Sequence, residues 1–130
     1  MFKLIKINNS TSNVPEIVKL KKLTNMDFAV GEAISISNER AVRCFENARP
    51  EYITASSAKE KDLYVYAYKV TCNMVFEVDY YDTQTCKMGN KHSLNVEGDS
   101  PVLSLGMSDE AGVATIIDVV SKRKAIIIFE

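Results

Sequence analysis

The sequence contains no tryptophan, only three prolines and five glycines, and a single histidine, His92. Its longest apolar run, at 125–129, is far shorter than the roughly 20 residues that a membrane-spanning helix requires. The start of the chain interleaves lysines with apolar residues and shows neither the basic nor the apolar segment of a secretory signal. We therefore expect a chain that is made in a cytoplasm and does not enter a membrane.

The charges are nearly balanced, because the chain has 16 lysines and arginines and 17 aspartates and glutamates. Nucleic-acid binding needs a basic face that neutralises several phosphates, and this balance argues against such a partner. The densest basic stretches are Lys19 with Lys21 and Lys22, and the residues 122–124. Both lie beside apolar runs, so we interpret them as solvated strand ends or turns.

The sequence contains only three cysteines. Cys44, Cys72 and Cys86 cannot all form disulfides within one chain, and no CxxC spacing is present. With a single histidine, this composition does not fit a zinc site, and we expect no metal and no cofactor. In a reducing cytoplasm the three cysteines are expected to act as small buried hydrophobic residues.

What the sequence does contain is a succession of short runs rich in Val, Ile, Tyr, Phe and Thr, separated by turn-forming residues. The predicted strands lie at 2–7, 17–23, 30–37, 41–45, 52–54, 63–71, 74–81, 93–96, 102–105, 115–120 and 125–129, with a hairpin turn at 37–40. Their number and spacing predict an all-β single domain, a small β-sandwich or β-barrel. Residues 1–16 are expected to form an N-terminal arm or edge strand followed by a polar link, and residues 17–130 the β domain.

The segment 108–121 also fits a helix, because Val113, Ile116, Ile117 and Val120 are spaced as on one helical face. Gly112 would interrupt the first turn of that helix, and β-branched residues suit a pleated strand better. We therefore predict a strand.

Catalytic patterns are weak throughout. His92 lies in a polar stretch and is interpreted as a surface histidine in a turn. A cysteine–histidine pair has three candidate thiols and no local signature, so the cysteines are assigned to strands. Glu77 and Asp79 share one strand face, which is typical of a solvated face as well as of acid–base chemistry. The sequence carries no phosphate-binding loop and no hydrolase motif, so we predict no enzymatic activity.

A row of tyrosines gives the strongest hint of a binding surface. Tyr64, Tyr66 and Tyr68 project from one side of a strand whose other side is aliphatic. Either the rings form a second core layer, which we favour, or they meet a partner, since tyrosine is enriched in interfaces. The first strand is the other candidate contact. The predicted interface residues are Phe2, Leu4, Ile5, Ile7, Tyr64, Tyr66 and Tyr68.

From residue 31 onward the order of elements is distinctive. The segments are GEAISI at 31–36, AVRC at 41–44, RPEYI at 49–53, SLNVEG at 93–98, GVATII at 112–117 and AIIIF at 125–129. This succession of strands and turns resembles the small head decoration proteins of tailed phages and prophages, which are also called capsid cementing or auxiliary proteins.

The resemblance implies a non-enzymatic β-sandwich or β-barrel subunit, often trimeric, that binds the major capsid protein on the outer surface of the assembled shell and stabilises it. The protein would then be made in the host cytoplasm and reside on the virion. Two alternatives stay open. One is another phage structural subunit, such as a tail-tube or adaptor protein. The other is a small ligand-binding or catalytic β-barrel that uses the three tyrosines, His92 and a carboxylate, which would require a roomy interior.

Overall fold

The computed structural model describes residues 1–45, 47–80, 87–96, 103–121 and 123–130. Within these ranges the chain forms eleven strands and no helix. The strands are β1 (Phe2–Ile7), β2 (Val18–Lys21), β3 (Ala33–Ser37), β4 (Arg40–Arg43), β5 (Tyr52–Thr54), β6 (Tyr64–Lys69), β7 (Met74–Asp79), β8 (Lys91–Val96), β9 (Leu103–Ser108), β10 (Ala114–Val119) and β11 (Lys124–Phe129). The all-β prediction is confirmed.

The strands are arranged in two antiparallel sheets. The six-stranded sheet has the order β1-β7-β11-β10-β8-β9, and the five-stranded sheet has the order β2-β6-β5-β3-β4. The architecture is a small β-sandwich and not a closed barrel, so the sandwich is the correct one of the two predicted forms. β1 and β2 are both edge strands, and the polar residues between them lead from one sheet to the other.

The five-stranded sheet curls so far that its first and last strands nearly meet. Lys22, just after β2, forms a single parallel bridge with Ala41 of β4. The Leu23 N–H donates to the Ala41 carbonyl at 3.0 Å. The curl gives this sheet an apolar interior of its own.

Two apolar clusters consequently lie on opposite faces of the five-stranded sheet. The larger cluster fills the space between the sheets and includes Phe2, Ile53, Tyr68, Phe76, Leu94 and Phe129. The smaller cluster lies inside the curl and is formed by Phe28, Ile34, Ala41, Ala58, Val65 and Ala67. Both faces of β6 are therefore needed for packing, which explains its apolar character on both sides.

The local turn chemistry agrees with the sequence at the best-defined hairpin. Asn38 and Glu39 connect β3 to β4 with φ values of 50° and 64°. Two successive left-handed residues match the right-handed twist of the strands they join, as in a type I′ turn. The predicted hairpin at 37–40 and the predicted strand within 108–121 are both confirmed.

Three expectations for individual residues are wrong. His92 is not a surface residue in a turn; it is fully buried in β8, because the alternation of that strand turns His92 inward together with Leu94. Lys22 is not solvated; it is 1% exposed at the bridge to β4. Cys72 is not buried; it lies exposed in the turn between β6 and β7, whereas Cys44 is buried as expected. Cys86 lies outside the described residues.

Candidate protein-binding surface

The predicted interface residues of the first strand fall into two groups. Phe2 is 3% exposed and packs its ring on Phe129, with ring centroids 5.5 Å apart. Leu4 and Ile7 are half-buried against the same core. A bulge between Leu4 and Lys6 turns Ile5 outward, where it is 40% exposed. Phe2 thus anchors β1 in the sandwich, and only Leu4, Ile5 and Ile7 offer surface.

The predicted tyrosine row divides in the same way. Tyr68 lies in the core between the sheets, where its ring stacks on Phe76 at a centroid distance of 6.4 Å. Burial raises the pKa of the Tyr68 phenol. Tyr64 and Tyr66 are 37% and 47% exposed on the same side of β6. Tyr68 therefore belongs to the core layer, as we favoured, whereas Tyr64 and Tyr66 lie at the surface.

An apolar groove opens where the edge strands of the two sheets lie side by side. Its volume is about 450 Å³. We call it the edge groove; it is lined by Met1, Phe2, Lys3, Leu4, Asn13, Val14, Pro15, Ile17, Val30, Gly31, Thr54, Ala55 and Tyr68. Three of the predicted residues, Phe2, Leu4 and Tyr68, meet in it although they come from different sheets.

The other two tyrosines form a second concavity directly along β6. We call it the tyrosine ledge; it is about 370 Å³ in volume and is lined by Lys19, Ser56, Ser57, Asp62, Leu63, Tyr64 and Tyr66. The Lys19 ammonium lies 4.1 Å from the centre of the Tyr64 ring, a cation–π contact that fixes both side chains. Since Tyr66 and Tyr68 project from the same side of β6, the ledge continues the edge groove.

Most residues that line this surface are absent from the set predicted from the sequence, and four of them matter most for binding. Val14, Ile17 and Val30 are 78%, 46% and 58% exposed around the edge groove, and Lys19 borders the ledge. A signal for Val14 exists in the sequence, because it is an apolar residue directly after the polar stretch at 8–13. Ile17 and Val30 carry no such signal, since their exposure depends on how the two sheets meet.

A third concavity, lined mostly by charged residues, lies beside the loop before β3. Its volume is about 900 Å³, and it contains the Arg43 guanidinium, which pairs with Asp27 at 2.9 Å. The Arg43 Nε lies 3.8 Å from Oε2 of Glu32, whose side chain is only 6% exposed. Burial raises the pKa of the Glu32 carboxyl, against the opposing effects of the Ala29 N–H and Arg43.

The geometry of this cleft suits a structural role. Glu32 Oε1 accepts a hydrogen bond from the Ala29 N–H at 3.2 Å, and the Glu32 N–H donates to Thr54 Oγ1 at 2.9 Å. The Thr54 hydroxyl in turn donates to the Ala29 carbonyl at 2.6 Å. These bonds fasten the loop before β3 to β5, and the Arg43 pairs fasten it to β4.

The thiols and acids do not form a catalytic arrangement in the part of the chain that the structure describes. The Cys44 thiol lies 3.5 Å from the Phe45 carbonyl, and burial raises its pKa, which disfavours the nucleophilic thiolate. Glu77 pairs with Lys124 at 3.4 Å, and Asp79 lies 3.9 Å from the N-terminal amine. Among the described residues no three His, Cys, Asp or Glu side chains are grouped to hold a metal ion.

No helix with the length and apolar character of a membrane span occurs in the described ranges. Comparisons of the chain with protein-family models, with curated proteins and with solved structures find no match. Exposed apolar and aromatic side chains gather along the edge groove and the adjoining tyrosine ledge, which we therefore take as the candidate binding surface.

Proposed function

We propose that this chain is a non-enzymatic structural protein of a tailed phage or prophage, a head decoration protein that binds the outer surface of the major capsid shell and stabilises it. The observation that supports this proposal most directly is the continuous apolar and aromatic surface of the edge groove and tyrosine ledge. The order of sequence elements from residue 31 onward supports the choice of protein class.

The exposed apolar side chains give the physical reason for a docking role. Val14, Ile17 and Val30 stand close together around one groove, whereas apolar residues scattered singly over a surface need no explanation. Removing apolar surface from water stabilises a complex by roughly 25 cal/mol per Å² before the costs of association. A partner that covers this groove therefore buries apolar surface that is exposed to water in the isolated chain, and this burial contributes to its affinity.

The proposal includes where and how the protein acts. It is made in the host cytoplasm, assembles as a homo-oligomer, with a trimer as the form typical of the resembled family, and resides on the capsid surface. A ligand-binding or catalytic β-barrel is a poorer account, because the two sheets form a sandwich whose interior is occupied by the larger apolar cluster.

The test is attachment to assembled heads. The purified chain is mixed with undecorated heads of the phage or prophage that encodes it, and bound protein is measured by co-sedimentation. We expect saturable binding that raises the resistance of the heads to heat or chelators. Binding to tails in place of heads would favour a tail-tube or adaptor subunit, and binding to neither would refute the proposal.

A further inference from the structure

We infer that the edge groove and the tyrosine ledge form one continuous site for an extended segment of a partner protein in which apolar side chains alternate with carboxylates. The inference deepens the proposed function and relies on it only for the identity of the partner, which would then be the capsid protein. The chemistry of the segment follows from the surface itself.

The spacing of the side chains favours an extended occupant. On β2, Lys19 projects beside Tyr66, with which it is paired in register, and Lys21 is paired with Tyr64. Outward-facing side chains repeat every second residue along both strands, a distance of about 6.6 Å. An extended segment has the same repeat, so its alternate side chains can meet one row after another.

Side-chain contacts, more than added backbone pairing, should supply the affinity. The Phe2 N–H already donates to the Gly31 carbonyl at 2.9 Å, and the Ile7 N–H donates to Asn13 Oδ1 at 3.0 Å. Both ends of β1 are thereby occupied on the side away from β7, which protects this edge from extensive strand addition. The open feature is the apolar groove beneath it, where Val30 and Ile17 can receive an inserted side chain.

The charges around the site favour carboxylates among the polar residues of the partner segment. Lys19 stands on the tyrosine ledge over the ring of Tyr64. Lys3 is the charged residue among those that line the edge groove, and its neighbour in register on β7 is Glu77. The one carboxylate of the ledge, Asp62, accepts a hydrogen bond from the Lys59 N–H at 2.8 Å. Carboxylates on the occupant would complement the lysines, whereas a basic segment would be repelled.

The experiment uses the full chain, immobilised, and a displayed library of random 12-residue peptides. We expect selection of sequences that alternate Leu, Ile, Val or Phe with Asp or Glu. A synthetic peptide of the selected sequence is then titrated by fluorescence anisotropy. Val30→Ser and Lys19→Glu should each weaken its binding at least about tenfold, the effect of roughly 1.4 kcal/mol.

Two matched variants control for nonspecific effects. Val120→Ser changes a valine that is 54% exposed just after β10, against 58% for Val30. Lys87→Glu reverses an exposed lysine that lines neither concavity. Both should bind the peptide as the wild type does, and all four variants should keep the circular dichroism spectrum and melting temperature of the wild type to within a few degrees.

Several outcomes would overturn the inference. These are no enrichment over an uncoated surface, selection of basic peptides, or equal binding by Val30→Ser, Lys19→Glu and their controls. Binding of phosphatidylcholine vesicles that depends on Val30 while no peptide is selected would also overturn it. If heads are coated but no peptide binds, the inference fails and the proposed function stands. If peptides bind but heads stay bare, the proposed function fails and the inference stands.

Discussion

Lys22 is the most deeply buried charged residue of the described chain, at 1% exposure. Its ammonium donates to the carbonyls of Leu23 at 3.2 Å and Glu60 at 3.1 Å, and its backbone forms the bridge to Ala41. These bonds satisfy the buried cation and connect the end of β2 to the loop before β6. Sequence reasoning could not find this, because Lys19, Lys21 and Lys22 look alike as a basic cluster.

Replacing Lys22 by Ala should lower the free energy of unfolding by about 2–4 kcal/mol, since it leaves a cavity and removes the ammonium that donates to the Leu23 and Glu60 carbonyls. The Glu60 carbonyl keeps only the longer bond from the Asn25 N–H at 3.3 Å. Urea denaturation followed by circular dichroism measures the change. Lys21→Ala is the matched control, because Lys21 is the exposed neighbour of Lys22 at the end of β2. It should alter stability by no more than about 0.5 kcal/mol. Equal effects of the two substitutions would contradict the role assigned to Lys22.

Glu32 makes stability depend on pH in a defined direction. Burial raises its pKa in the folded chain above the ordinary value of 4.5. The folded chain therefore holds the carboxyl proton more tightly than the unfolded chain does. The resulting stabilisation is fully present below the unfolded pKa and is lost as the pH rises through the raised folded pKa.

The variant Glu32→Gln cannot ionise and escapes this loss. Its free energy of unfolding relative to the wild type should therefore rise between about pH 4 and about pH 7. Urea denaturation of both proteins at the two pH values measures the difference, with Glu16→Gln as a control at an exposed site. A Gln variant that becomes relatively less stable towards pH 7 would show that the pair with Arg43 outweighs the cost of burial.

At the scale of the elements, the local sequence pattern was enough to predict most of the strands. Alternation and turn residues predicted β1, β6, β7 and β11 to within about two residues at each end. The β3–β4 hairpin followed from Asn38 and its neighbours. The sequence pattern did not predict the burial of His92 in β8, because the neighbouring residues in the chain are polar. The burial of His92 depends instead on the strands on either side of β8.

Gly112 marks a contact between elements that no local rule reveals. A Cβ built on it would lie 2.5 Å from the carbonyl carbon and 2.7 Å from the nitrogen of His92 in β8. Since the clash involves backbone atoms, a rotamer change cannot relieve it. The glycine that argued against a helix in the sequence is required here by the close approach of β8.

Gly112→Ala should therefore displace β8 and destabilise the chain by about 1–3 kcal/mol. Amide hydrogen exchange should accelerate at Asp109 and Ile116, whose N–H groups donate to the carbonyls of Lys91 and Asn90 at 2.9 Å each. Glu110→Ala is the control, because Glu110 is exposed in the same turn as Gly112. Unchanged exchange at both amides in Gly112→Ala would contradict the predicted displacement.

For the whole molecule, the sequence predicted the fold class but not the arrangement of strands. The six-stranded sheet places β1 beside β7 and β7 beside β11, pairings between distant parts of the chain. The edge groove depends on that arrangement, since Leu4, Ile17, Val30 and Tyr68 converge there from four separate segments. The sequence could therefore nominate Leu4 and Tyr68 individually, but it could not show that they share one site with Ile17 and Val30.

The central claim is that this surface is the one that docks on a partner. Electron cryomicroscopy of heads decorated with the chain tests it most directly, at a resolution that orients the sandwich. The account predicts that Ile17, Val30 and Tyr66 face the shell and that a segment of capsid protein lies along the edge groove and tyrosine ledge. A map in which these three side chains face solvent while the opposite side of the sandwich contacts the shell would contradict it.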